Sequence, residues 1–82
     1  MQDHAHTVTT LGIDSTRWVD MIDWCIDRLG EEHRVRLLDF RGTHALDPQN
    51  WAVFPWFIQK DMNVIWHFGS QQVAMEFALA WC

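Results

Sequence analysis

Residues 51–68 read WAVFPWFIQKDMNVIWHF, and the fold turns on what covers them. Nine of the eighteen are large and apolar even when Ala52, Pro55 and the valines are left out. Side chains of a strand alternate between two faces. A half-buried hairpin should therefore be apolar on one face and polar on the other, but this one is apolar on both. In the first arm, about Trp51–Ile58, Trp51, Val53, Pro55 and Phe57 share one face, and Ala52, Phe54, Trp56 and Ile58 share the other. In the second arm, about Val64–Phe68, Val64, Trp66 and Phe68 oppose Ile65 and His67. The segment QKDMN is expected to join the two arms.

Pro55 adds a constraint. It has no amide hydrogen, so it belongs on an edge strand or at a bulge. Either the first arm bulges or it lies at the rim of its sheet. Whichever face the rest of the chain covers, the other exposes a patch. That patch holds at least Phe54, Trp56 and Ile65, or else Val53, Phe57 and Trp66.

Outward from the hairpin, two helices are expected. Asp14 or Ser15 can accept hydrogen bonds from the free amides of a first turn, and Gly30 can take the left-handed conformation that ends that helix. Between them Trp18, Val19, Met21, Ile22, Cys25, Ile26 and Leu29 recur at helical spacing. Asp20, Asp23 and Asp27 lie on the opposite side, with Glu31 and Glu32 beyond, and Trp24 sits at the border. The closing segment GSQQVAMEFALAWC reads as a helix capped by Ser70. Val73, Ala74, Phe77, Ala80 and Trp81 form its inner side, with Met75, Ala78 and Leu79 at or past the margin.

The third strand is expected at Val35–Phe40, where β-branched and aromatic residues precede Gly42. A loop through DPQN then leads to the hairpin. Residues 1–10 lack periodicity and read as a flexible arm, or at most a short edge strand at HTVTTLGI. The expectation is thus an α+β chain with a single domain over 11–82. Its order is α-β-β-β-α, with a three-stranded antiparallel sheet carrying both helices on one face.

The composition supports a rich core. The chain has 82 residues, of which 49% are hydrophobic, including six Trp and five Phe. A domain this small needs such content to be stable. Eleven Asp plus Glu against six Lys plus Arg leave a net charge of −5. That balance disfavours direct nucleic-acid binding, which needs cationic contacts to phosphate, and disfavours anionic membranes. No stretch is apolar for long enough to span a membrane, and the first ten residues lack the pattern of a secretory signal. Two cysteines, Cys25 and Cys82, make no disulfide framework, and a cytoplasmic protein with reduced thiols is expected.

Candidate chemistry is sparse. His4 and His6 form an H-x-H pair beside Asp3, but without a third ligand nearby they make no metal site. His44 and Asp47, with Asp39, do not add up to a nucleophile, base and orienting group. Cys25 lies on the apolar side of its helix, away from the electropositive exposure a reactive thiol needs. His67 is expected to be a hydrogen-bonded strand residue. No cofactor, metal or catalytic residue is expected, and the chain is not expected to be an enzyme.

The remaining expectation is an interaction module that docks on a protein through aromatic and acidic surface. Trp24, Phe54, Trp56 and Trp66 are the expected anchors, because Trp dominates interface hot spots. Asp20, Asp23 and Asp27 supply the acidic part. Short acidic chains of this kind are common among phage-type modulators that inhibit a host enzyme or defence complex. Two alternatives remain. An acidic mimic would occupy the nucleic-acid site of a larger complex, and a structural subunit would self-assemble, with a homodimer as its simplest form.

Overall fold

The computed structural model describes residues 6–36 and 46–81. The chain order is β1 (His6–Ile13), α1 (Ser15–Leu29), a short 3-10 turn (Glu31–His33), β2 (Trp51–Ile58), β3 (Asp61–Phe68) and α2 (Gln71–Trp81). The three strands form one antiparallel sheet in the order β1-β3-β2. The α+β class and the three-stranded sheet are as the sequence implies. The order of elements is not: it is β-α-β-β-α.

The difference lies in the third strand. It is formed by residues 6–13, the HTVTTLGI segment that reads as part of a flexible arm or at most as a short edge strand, and the edge strand is what forms. Thr7, Val8, Thr9 and Thr10 are β-branched, and their side chains alternate along an edge strand that buries one face only. Such a strand carries little apolar signal, because Thr suffices for its wet side. The expected strand at Val35–Phe40 lies mostly outside the described residues. Its first residue, Val35, donates its amide to Trp51 O at 2.7 Å, and Arg34 makes an isolated parallel bridge to Trp51.

The hairpin turn is tighter than expected. Only Gln59 and Lys60 separate the strands, and Ile58 pairs with Asp61. Gln59 takes φ +59, a conformation that glycine would adopt without steric cost, yet the turn contains no glycine to mark it in the sequence. Asp61, Met62 and Asn63, expected in the joining segment QKDMN, belong to β3.

Pro55 sits on an edge strand, as its missing amide requires. The ladder explains how it is tolerated. Ile58 and Asp61 close the two-residue turn facing each other, and Gly69 donates its amide to Asn50 O at 3.1 Å. Backbone groups of Ala52, Phe54, Trp56 and Ile58 therefore point to β3, and those of Trp51, Val53, Pro55 and Phe57 point outward. No ladder hydrogen bond is lost at Pro55.

Both helices pack on the same face. Trp66 in the central strand is fully buried, with its ring centroid 4.8 Å from Phe77 of α2 and 5.5 Å from Trp18 of α1. Its indole Nε1 donates to Thr10 Oγ1 at 2.9 Å, which satisfies the one polar atom of this side chain. Phe68 lies 5.2 Å from the same Phe77. Trp51, Val53, Val64, Met21 and Cys25 complete this core. The Trp51 indole donates to Gly30 O at 3.0 Å, tying the end of α1 to β2.

Local signals set the helix ends. Of the two candidates before α1, Asp14 is the cap: its Oδ1 accepts from the Arg17 amide at 2.8 Å. Gly30 has φ +106 with ψ 139, positive in φ but outside the left-handed helical well. Ser70 Oγ accepts from the Val73 amide at 3.3 Å and caps α2. The helices run antiparallel side by side. Arg17 Nη2 donates to Trp81 O, Trp24 stacks edge-on to Phe77, and Arg28 Nε donates to Glu76 Oε1 at 2.8 Å. Val19, grouped with the apolar side of α1 by spacing, is exposed at the flank away from α2.

Candidate functional site: the open face of the sheet

Strand parity settles which residues the helices leave uncovered. With Trp51, Val53, Val64, Trp66 and Phe68 inside, the other face carries Phe54, Trp56 and Ile58 from β2 and Ile65 and His67 from β3. β1 adds Thr7, Thr9 and Leu11. Phe54 is opposite Ile65, and Ile65 is opposite Thr9, so these three form one row across the sheet. Trp56 is opposite Asn63 in the next row. Phe54 is 49% exposed, Ile58 59% and Leu11 71%. Trp56 and Ile65 are half-buried among them. Of the two patches the sequence allows, this is the one centred on Trp56; of the other, Val53 and Trp66 are buried and Phe57 alone, near the turn on the helix side, is exposed.

Asn63 holds the middle of the patch together. It is buried, and its Oδ1 accepts the Gly12 amide at 3.0 Å. Leu11 and Gly12 form a bulge where the β1–β3 register shifts, and Gly12 has φ +62. The bulge lets Leu11 stay on the open face while Ile13 turns into the core.

The face is not open along its whole length. Gly69 would point its side chain to this side, and a Cβ there would fall 1.8 Å from Asp47 O. The chain at Leu46 and Asp47 therefore crosses that end. Ala52, at the same end, is buried, and His67 opposite it is half-buried. Burial lowers the pKa of the His67 imidazole from its ordinary value. The exposed part is thus the half nearer the hairpin turn.

The expected anchors divide. Phe54 and Trp56 are on the open face. Trp66 is not an anchor: it is the centre of the core, because the helices cover the face with its parity. Trp24 is half-buried against Phe77, with ring centroids 5.5 Å apart, so it joins α1 to α2 instead of standing free. Asp20, Asp23 and Asp27 are all exposed, on the side of α1 turned away from the sheet. The carboxylates and the aromatic patch therefore lie on opposite sides of the molecule and do not form one surface. Leu11 is the member that sequence reading missed. Its spacing from Thr7 and Thr9 is the signal that would have placed it.

A cleft of about 670 Å³ lies on the helix side, above the outer edge of β2. Trp18, Val53 and Pro55 give it apolar walls, and Glu31, Glu32, Arg34 and Arg36 line the rest with Val35. Among the described residues its lining offers charge and shape but neither a histidine nor a hydroxyl or thiol nucleophile. The Cys25 thiol is buried, and its pKa is pushed up to about 12 by burial, so it stays protonated. Among the described residues no three His, Cys, Asp or Glu come together as a metal site. His6 lies on β1, while His4, Asp3, Asp39 and His44 fall outside the described residues. No described helix is long and apolar enough to cross a membrane.

The fold and this face define a small α+β domain with a two-helix layer on one side of its sheet and an apolar patch on the other. Comparison with protein-family models, curated proteins and solved structures gave no match.

Proposed function

We propose that this chain is a non-enzymatic protein–protein interaction module that docks on a protein partner through the open half of its sheet. The exposure of Phe54, Ile58 and Leu11 around Trp56 carries this reading. A cluster of large apolar groups at the surface of so small a domain marks an interaction site, and aromatic anchors concentrate binding energy. The net charge of −5 argues for a protein partner over a nucleic acid or an anionic membrane. The reading extends to a cytoplasmic modulator of phage type that inhibits a host enzyme or defence complex by occupying a surface.

The test begins with capture of a partner from lysate of the source host on the immobilised chain, and its identification by mass. Titration of that purified partner then discriminates. Trp56→Ala should weaken binding by about 30-fold or more, the equivalent of a hot spot of about 2 kcal/mol, with the circular dichroism unchanged. Equal binding by Trp56→Ala and Phe54→Asp would refute the assignment.

A second reading rests on the exposed Asp20, Asp23 and Asp27. Facing away from the sheet, they present negative charge to a basic groove in the manner of a nucleic-acid mimic. Because the two surfaces are on opposite sides, the titrations separate them. The mimic requires that neutralising the three aspartates to Asn weakens binding and that affinity falls steeply with salt. Docking by the open face requires neither.

A further inference from the structure

We infer that two copies of this chain pair through the free edges of β1, joining their sheets into one six-stranded antiparallel sheet. The inference is independent of the partner-docking reading and starts from the two edges of the sheet, which are not alike. The β2 edge is blunted. Pro55 removes an outward amide from its middle, and Val35 already occupies the carbonyl of Trp51. Proline at an edge and cover by another segment are the devices that stop strand addition.

Among the described residues the β1 edge has neither. His6–Ile13 contains no proline, no lysine and no carboxylate. The ladder fixes which of its groups are free. β3 residues 61, 63, 65 and 67 face β2, so 64, 66 and 68 face β1 and bond with Thr10, Val8 and His6. The amides and carbonyls of Thr7 and Thr9 point outward, and no backbone bond among the described residues reaches them. Both threonines are exposed.

A second copy is the occupant this edge fits. An antiparallel pair about a two-fold axis is self-complementary. With the axis at Val8, Thr7 faces the partner's Thr9 and Thr9 faces the partner's Thr7. Each facing pair exchanges two hydrogen bonds, so all four free groups on each strand are satisfied. Thr–Thr pairs then lie on the open face, a favourable cross-strand combination. Val8, half-buried in one copy, meets the partner's Val8 on the helix side.

The helix layer agrees with that axis. α2 packs over β1 and β3, so it sits about half a strand spacing inside β1. Two such helices across the axis would be about two strand spacings apart, roughly 10 Å, which is the ordinary distance for packed helices. Glu76 marks the flank of α2 that faces α1. The opposite flank carries Gln71, Ala74, Met75 and Ala78, one polar residue, two small ones and one adaptable one, with no charge. It is the flank that would meet its copy. The same pairing would join the two open patches, each with its own Leu11, on one continuous sheet face.

Sedimentation of the full chain, without any partner, from low micromolar to near-millimolar concentration tests this. A reversible dimer is expected. Thr7→Lys with Thr9→Lys puts like charges directly opposite across the axis and leaves the core untouched. It should raise the dimer dissociation constant at least about tenfold, or about 1.4 kcal/mol. Should the double variant not fold, Val8→Cys in a Cys82→Ser background replaces it. A non-hydrogen-bonded antiparallel pair brings Cα atoms to about 4.5 Å, within disulfide reach, so mild oxidation should cross-link two chains. A monomer at the highest concentration, a dimer indifferent to the lysines, or no cross-link each overturns the proposal. So does a dimer broken by Phe54→Asp but not by the lysines, which would place the contact on the open face.

Discussion

The two faces of this sheet are built from the same residue types and have opposite fates. On the helix side, Trp66, Phe68 and Trp51 are fully buried, and the one polar atom of Trp66 is matched by Thr10 Oγ1. On the other side, Phe54 is about half exposed, and Leu11 and Ile58 more so. Composition alone does not distinguish these groups. What separates them is parity relative to two helices that cover one face of the three strands except near the hairpin turn, where Phe57 of that face stays exposed. The first face stabilises the fold. The second is surplus to it, and surplus apolar surface is what a docking site is made from.

The largest expected effect follows directly. Trp66→Ala should cost about 3–5 kcal/mol, the range for emptying a large aromatic site in a core. That is a large share of the total for a domain of this size, and much of the variant should be unfolded. Phe54→Ala should cost about 1 kcal/mol or less, since its ring is already half in water. Urea denaturation of the two variants measures the difference. Equal losses would mean that the second face is also core, and the docking proposal would lose its foundation.

Next in size is Gly69→Ala. A Cβ at this position meets Asp47 O at 1.8 Å, a backbone atom that cannot swing aside. Either the 46–47 crossing lifts from the sheet or β3 shifts at its end. Overpacking of this kind costs about 1–3 kcal/mol. The informative readout is where the damage goes. If the crossing lifts, Ala52 and His67 become wetter, and amide exchange quickens there while α1 and α2 stay protected. Uniform loss of protection would instead mean that the crossing is part of the main core.

Much of this was legible from residues 51–68. Their double-sided apolarity called for one covered and one bare face, and Pro55 for either a bulge or an edge position of the first arm, of which β2 has the edge. The caps Asp14 and Ser70 and the two helical apolar stripes were equally plain. The choice between the Trp56 and Trp66 faces was not. It depends on which face the helices cover, a long-range fact that alternation along a strand leaves open. The third strand at HTVTTLGI was only the alternative to a flexible arm for a related reason. HTVTTLGI needs only Val8, Thr10 and Ile13 on its inner side, and its outer threonines look like a polar tail. The acidic and aromatic surfaces were read as one because sequence order places Asp27 and Trp56 on no particular side. The helix layer puts the sheet between them.

The smallest expected effect concerns the covered end of the second face. Burial lowers the His67 pKa below its ordinary value, so the folded state binds this proton less readily than the unfolded chain does. The neutral imidazole is no hindrance above the unfolded pKa of about 6.5. As pH falls below that, the unfolded state takes up the proton first, and stability declines until the folded-state pKa is passed. The wild type should therefore lose more stability between neutral and mildly acidic pH than His67→Gln does, compared by urea midpoints at the two pH values. The contributions of the other histidines, common to both proteins, cancel in that difference. Identical pH dependence would mean that the site of His67 is as wet as that of Phe54. The second face would then be open from end to end, and the docking surface longer than the half nearest the turn.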